Sequence, residues 1–240
     1  HPTTTPNAQT SDRQMPLFLQ QTLTILQKDL TTEFRTKERL SAMCFFALLV
    51  IIIFNFAFKP GTPIMKTAAP GIFWITVTFS GLMGLIRSFT LEQQNDCLMA
   101  LRLTPADSSA IYLGKTLGNF ITLTLVEALV LPLLAVLLNV TIWDHLPQLF
   151  LPLFLGTLSF SAIGTLFAAM AIHTRLKEAL LPLLTLPVLV PALLAAVEAT
   201  RAILSDQSLS DVGHWLKLGG AFAILFITAC TLLFEHVLEE

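Results

Sequence analysis

Six apolar runs divide this chain, and the polar stretches between them are short except for two. The runs are Ser41–Phe58, Ala69–Ile86, Thr116–Leu138, Leu149–Ile172, Ala179–Val197 and Trp215–Phe234. Each is near the ~20 residues a helix needs to cross a bilayer. Ahead of them, Pro16–Arg39 repeats its apolar residues at helical spacing. Leu19, Leu23, Leu26, Leu30 and Phe34 form one stripe, and Gln, Thr, Lys28, Asp29 and Glu33 occupy the other faces. This pattern predicts an amphipathic helix lying in the membrane interface, with Lys37, Glu38 and Arg39 at the water boundary. The longest connection, Arg87–Lys115, carries a second amphipathic pattern over Leu91–Leu103. Leu91, Leu98 and Leu101 lie near one face, opposite Glu92, Gln93, Asn95 and Asp96. Thr104-Pro105 ends that helix, because proline disfavours helical geometry in the residue before it.

The expectation is an all-α integral membrane protein with six transmembrane helices. Residues 1–15 read as a polar, disordered leader without the hydrophobic core of a signal peptide, and Met15 is a candidate natural start. Residues 16–240 read as a single transmembrane domain, with the interfacial helix over 16–40 and a loop over 87–115. Composition agrees: the chain is 54% hydrophobic and 12% charged, with a mean hydropathy of +0.74, unlike a soluble domain. The net charge of -2 gives no reason to expect nucleic acid as a partner. Ten of the 14 basic residues fall in the N-terminal segment, the Arg87 loop and the His173–Glu178 connection. The excess of Lys and Arg marks the cytoplasmic side. Both termini and the Arg87 loop are therefore expected in the cytoplasm, with the Asn139–Gln148 and Glu198–His214 connections outside. A short surface helix is expected near Ala199–Leu204.

Few residues inside the runs carry chemistry. Glu127 lies near the centre of the third run, where an ionisable group costs about 2.5–3.5 kcal/mol and should face protein or water. It serves either a translocation path or the hydrogen bonding that holds the bundle together. Pro182, Pro187 and Pro191 each remove a hydrogen bond from the fifth run, so that helix is expected to be kinked or partly broken, as a hinge, a path wall or a packing kink. Gly81 and Gly84 have the spacing of a close helix–helix approach. Asn55 reads as a packing hydrogen bonder. His145 and His214 stand beside Trp143 and Trp215. Such pairs can sit over a haem, but tryptophan is enriched at membrane surfaces as an anchor. The histidines form no HxxxH or HExxH pair, and Cys44, Cys97 and Cys230 have no metal-ligand spacing, so neither metal site nor disulfide is expected. There is no GxxxxGK[ST], no GxSxG and no plausible triad, so the chain is not expected to be an enzyme. If ATP is used, a partner hydrolyses it.

This layout resembles the membrane subunits of type 2 ATP-binding-cassette exporters, in which the loop between spans two and three carries a cytoplasmic coupling helix seated on the ATPase. Three stretches resemble the haem exporter protein B family of system I cytochrome c maturation more narrowly: APGIFWITVTFSGLMGLIRSF (Ala69–Phe89), LEQQNDCLMALRLTPADSSAIYLGKTLGN (Leu91–Asn119) and LLPLLTLPVLVPALLAAVEAT (Leu180–Thr200). The resemblance runs from about Leu17 through the sixth run. It implies a permease-like subunit of the bacterial inner membrane. Its implied partners are an ABC ATPase subunit that carries the ATP, a tryptophan-rich haem-handling membrane subunit, a small single-span subunit and a periplasmic haem chaperone. Haem is then the handled ligand, and ATP hydrolysis drives release of the loaded chaperone. Arg87, Phe89, Glu92, Asn95, Asp96, Leu98, Leu101 and Pro105 occupy the coupling-loop pattern. Leu98 and Leu101 would fill a groove on the ATPase, the acids would pair with its basic rim, and Pro105 would fix the turn back into the membrane. Where many members have an acidic-Gly pair, the Gly position here is Asp96, and a later acidic position is Met99. The alternatives are a type 2 permease for a lipid, polysaccharide or drug, and a non-translocating scaffold for haem-handling proteins.

Overall fold

The computed structural model describes residues 16–94, 107–171, 177–207 and 209–239, and all regular elements among them are helical. Helix α1 (Leu17–Thr36) is followed by α2 (Glu38–Ala57), α3 (Pro63–Gln94), α4 (Ser108–Leu138), a 3₁₀ turn (Trp143–His145), α5 (Leu146–Ala171), α6 (Lys177–Leu204) and α7 (Leu209–Glu239). Six of these, α2 to α7, are long and apolar enough to cross a membrane. The protein is an all-α integral membrane protein, as the hydropathy pattern predicts.

The bundle is built around α3 and α5. In their spanning windows 72% and 67% of residues are buried, against 17% for α2 and 22% for α7. Helices α5, α6 and α7 pack as one group, while α1 and α2 lie against α4 on the other side and α3 joins the two halves. Glycine sets the close contacts. A methyl group on Gly81 would lie 2.5 Å from the Phe160 ring, and one on Gly84 would lie 2.4 Å from Met43 Sδ. The predicted close approach is therefore present, with each glycine serving a different neighbour. Gly156 accommodates the Trp74 ring, 2.2 Å from where its Cβ would be. Trp74 is itself buried, and its Nε1–H donates to Thr200 Oγ1 at 3.0 Å.

Three connections meet at the end of the bundle opposite α1. Asn55 Nδ2 donates to the Leu137 carbonyl, as expected for a packing hydrogen bonder. Gly61, with φ of 75°, donates its N–H to the Leu138 carbonyl at 3.1 Å. His145 Nε2 lies 3.6 Å from Asp206 Oδ1, which places the third-to-fourth and fifth-to-sixth connections side by side, as their predicted common face requires.

Several boundaries differ from the apolar runs. The fourth span begins at Leu146 and the sixth helix covers Leu209–Glu239. Helix α6 is continuous through Pro182, Pro187 and Pro191, so of the expected kink or partial break the break is absent. The prolines sit on its partly exposed sides, while Leu181, Thr185, Leu189 and Ala192 face inward and hold the helix against the bundle. The surface helix expected at Ala199–Leu204 is instead the last turn and a half of α6, with Ala199, Ala202 and Ile203 buried. Lys115 is not in a loop: α4 begins at Ser108, capped by Asp107 Oδ1, which accepts from the Ser109 N–H at 2.8 Å. The apolar residues Ala110–Leu113 extend the third span beyond its predicted start, and Lys115 is only 3% exposed.

The contrast between glycines is testable. Gly156→Ala drives a methyl group into a rigid indole and should destabilise by about 1–3 kcal/mol, typical of overpacking. Gly71, with nothing within 4 Å of its absent Cβ, should accept alanine without loss. Thermal unfolding of the two variants in the same detergent checks this.

Candidate functional site

Two places bear on the predicted site residues: the junction of α1, α2 and α4, which frames residues 95–106, and the groove beside Glu127.

At the junction, Lys37 adopts the left-handed conformation (φ 54°), and α1 turns sharply into α2 there. The turn brings Glu33 back onto the start of α2. Glu33 Oε1 accepts from the Leu40 N–H at 2.8 Å, and its Oε2 lies 3.0 Å from Arg39 Nε. Arg39 was expected at the water boundary, but it is buried. Its guanidinium donates to Asn119 Oδ1 at 2.9 Å and to Thr122 Oγ1 on α4. Asn119 passes the chain on, its Nδ2 donating to Thr165 Oγ1 on α5 at 2.8 Å. A planar fork with several fixed donors suits such a three-helix node better than a lysine could.

Helix α1 has two working faces. Of the predicted stripe, Leu19, Leu23 and Phe34 are exposed, while Leu26 and Leu30 are half-buried. The adjoining face, Thr22 and Ile25, packs on Gly114, where a Cβ would lie 3.0 Å from both residues. One turn on, Asp29 lies over Gly118 and 3.9 Å from Lys115 Nζ. Asp29 and Glu33, read from the sequence as solvent-facing, instead help hold α1 to the bundle. The missed signals were the Gly114–Gly118 spacing and the polar residues Asn119, Thr122 and Thr165 within apolar runs, which needed partners inside the membrane.

This junction holds both ends of the segment between α3 and α4. On the α3 side, Arg87 lies 3.1 Å from Glu38 Oε2 on α2. On the α4 side, the Asp107 N–H donates to Gln21 Oε1 on α1 at 3.3 Å. Of the predicted coupling residues, Arg87, Phe89 and Glu92 are on α3, with the side chains of Phe89 and Glu92 outside the described residues. Asn95, Asp96, Leu98, Leu101 and Pro105 lie outside the described residues altogether, as do residues 1–15.

Glu127 is buried on α4 and accepts from Thr157 Oγ1 on α5 through its Oε1. It sits on the wall of a groove of about 640 Å³ between these helices. Phe120, Leu131 and Pro132 line it from α4, Phe150 and Phe154 from α5, and Trp143 from the turn between them. Phe120 and Phe154 meet edge to face with ring centroids 5.3 Å apart. Pro182, Pro187 and Pro191 do not line this groove, so the intramembrane candidates fall in two separate places. His145 turns to Asp206 rather than to Trp143, and His214 meets the Trp215 ring at 5.4 Å. Among the described residues no three His, Cys, Asp or Glu side chains gather as a metal site.

A model of the CcmB protein family matches residues 20–240. The chain belongs to that family. Heme exporter protein B of Rhodobacter capsulatus is 33% identical over 177 residues, covering 74% of this chain and 81% of that protein. Heme exporter protein B of Haemophilus influenzae is 30% identical over 205 residues, 85% of this chain and 87% of the relative. That of Pseudomonas aeruginosa is 28% identical over 200 residues, 83% and 88% respectively. The CcmB match thus takes in most of α1, all six spans and the segment between α3 and α4.

The junction predicts a specific stability pattern in this CcmB chain. Arg39→Met leaves the half-buried Glu33 beside an apolar neighbour and should cost about 1–3 kcal/mol, the range for leaving a hydrogen-bonded group without its partner. Adding Glu33→Gln should return part of that loss. Thermal unfolding of the single and double variants in detergent reads both effects.

Proposed function

We propose that this chain is the permease-like membrane subunit of an ATP-driven complex of cytochrome c maturation. An ABC ATPase subunit in the cytoplasm hydrolyses ATP, and the chain couples that hydrolysis to haem handling or to release of a haem-loaded periplasmic chaperone. A tryptophan-rich haem-handling membrane subunit and a small single-span subunit complete the assembly. In this reading the protein crosses the bacterial inner membrane six times, with both termini and the α3–α4 segment in the cytoplasm. Residues 16–240 act as one domain.

The observation that carries the reading is the CcmB family match over nearly the whole chain. Relatives across most of its length are named heme exporter protein B. The distribution of Lys and Arg supports the orientation. The framing of residues 95–106 by Glu38–Arg87 and Gln21–Asp107 supports a coupling role, because a force applied to that segment would pass directly into α1, α2 and α4. Within it, Leu98 and Leu101 would enter the ATPase groove, and Arg87, Glu92, Asn95 and Asp96 would contact its rim.

One observation favours a scaffold that translocates nothing. Glu127, the one acid near the middle of a span among the described residues, opens onto an outward groove rather than a polar channel through the bundle.

Replacing Leu98 and Leu101 together with Asp should abolish co-purification of the ATPase subunit while membrane insertion stays normal. Retained co-purification would defeat the coupling assignment. Glu127→Gln separates the two readings of the membrane domain. On the translocation reading the yield of c-type cytochromes falls several-fold, and on the scaffold reading it is unchanged.

A further inference from the structure

The groove between α4 and α5 has features that helix packing does not require. It runs along α4 from Phe120 to Pro132, about 18 Å at the rise of an α-helix. Its walls are almost wholly apolar: three phenylalanines, Leu131, Leu146, Leu153 and the Trp143 ring. Phe150 and Trp143 are well exposed, so the groove opens on the outer surface of the chain at membrane level. Its volume of about 640 Å³ lies within the range of small-molecule sites. Two polar side chains break the apolar lining: Thr124, whose hydroxyl donates to the Phe120 carbonyl, and Glu127. Glu127 is 4% exposed, its Oε1 is engaged by Thr157, and its second carboxyl oxygen carries no hydrogen bond among the described residues. That oxygen is not sealed inside the bundle, and Glu127 lines the groove, where an occupant can supply a donor.

We infer that this groove binds a membrane-soluble amphiphile whose long apolar chain lies along the Phe120–Phe154–Phe150 side and whose hydrogen-bond-donating head, a hydroxyl or an amine, meets the open oxygen of Glu127. The chain shape follows from the length and apolar lining of the groove. The donor head follows from the free carboxyl oxygen and from the absence of any Lys, Arg or His among the lining residues, which gives an anionic head nothing to pair with. A partner helix fits less well. Helices approach closely in membranes over small residues, and this surface offers bulky aromatic and leucine side chains, with Ala128 and Thr124 as the small exceptions. The inference stands apart from the proposed role in cytochrome c maturation, since it rests on the geometry of one groove.

Trp143 provides the signal. The purified full-length chain in lipid nanodiscs is titrated with dodecanol, dodecylamine and methyl dodecanoate, which share a chain length and differ in the donor. Trp143→Phe identifies the part of the fluorescence change that comes from the groove. The expected result is half-saturation by the alcohol and the amine at concentrations at least tenfold below the ester. The alcohol and amine arms identify which donor the site takes. Glu127→Leu should bring all three ligands to the same half-saturation, and Phe154→Ala should weaken all three together while keeping their order. Equal binding of donor and ester by the unmodified chain, or a preference that survives Glu127→Leu, overturns the inference. A preference for the ester would place the donor on the protein and also overturns it. If no ligand changes the Trp143 signal while an added partner subunit does, the groove belongs to a protein contact and the inference fails.

Discussion

A guanidinium buried where three helices meet must be fully surrounded by acceptors, and that requirement organises one half of this bundle. Arg39 sits between Glu33 of α1 and Asn119 and Thr122 of α4, and Asn119 reaches on to Thr165 of α5. Each partner restricts the next. Glu33 can reach only because Lys37 turns the chain back through a left-handed residue. Helix α1 can lie close enough only because Gly114 leaves room for Thr22 and Ile25. The cost of burying the charge is met by directional bonds, so the register of α1 on α4 is fixed far more tightly than apolar contact alone would fix it.

That fixed register gives the α3–α4 segment a rigid frame. Its two ends are held by residues of α1 and α2 rather than by each other. The N-terminal helix is therefore part of the membrane domain in a mechanical sense, although several of its leucines remain exposed. The other half of the molecule, α5 to α7, is joined by smaller means: Trp74 against Gly156, and its indole N–H on Thr200. Polar links also join α4 to α5, with Thr157 donating to Glu127 and the Tyr112 hydroxyl to the Ala162 carbonyl.

Much of this was legible in the sequence, for reasons that differ by residue. The six spans follow from hydropathy because bilayer thickness imposes helix length. Glu127 could be singled out because an acid at mid-span must have a partner, and it has one in Thr157. Arg39 was misplaced because charge was taken as a sign of water, whereas the partners that bury it come from positions about 80 residues away. Lys115 was misplaced for the same reason. The prolines of α6 suggested a kink or a partial break, and packing of Leu181, Thr185 and Leu189 keeps the helix continuous. The Glu127 groove could not be read at all, since its lining comes from two helices and a turn whose relative rotation no single periodicity encodes.

The clasp at the end opposite α1 has a geometric consequence. Asn55 on the Leu137 carbonyl and Gly61 on the Leu138 carbonyl tie α2 to α4 there. Arg39 on Asn119 and Thr122 ties the same two helices near the opposite end of α2. The two ties lie about 27 Å apart along α4 at the rise of an α-helix. Rods pinned at both ends cannot hinge apart, so α2 and α4 move together as one strut.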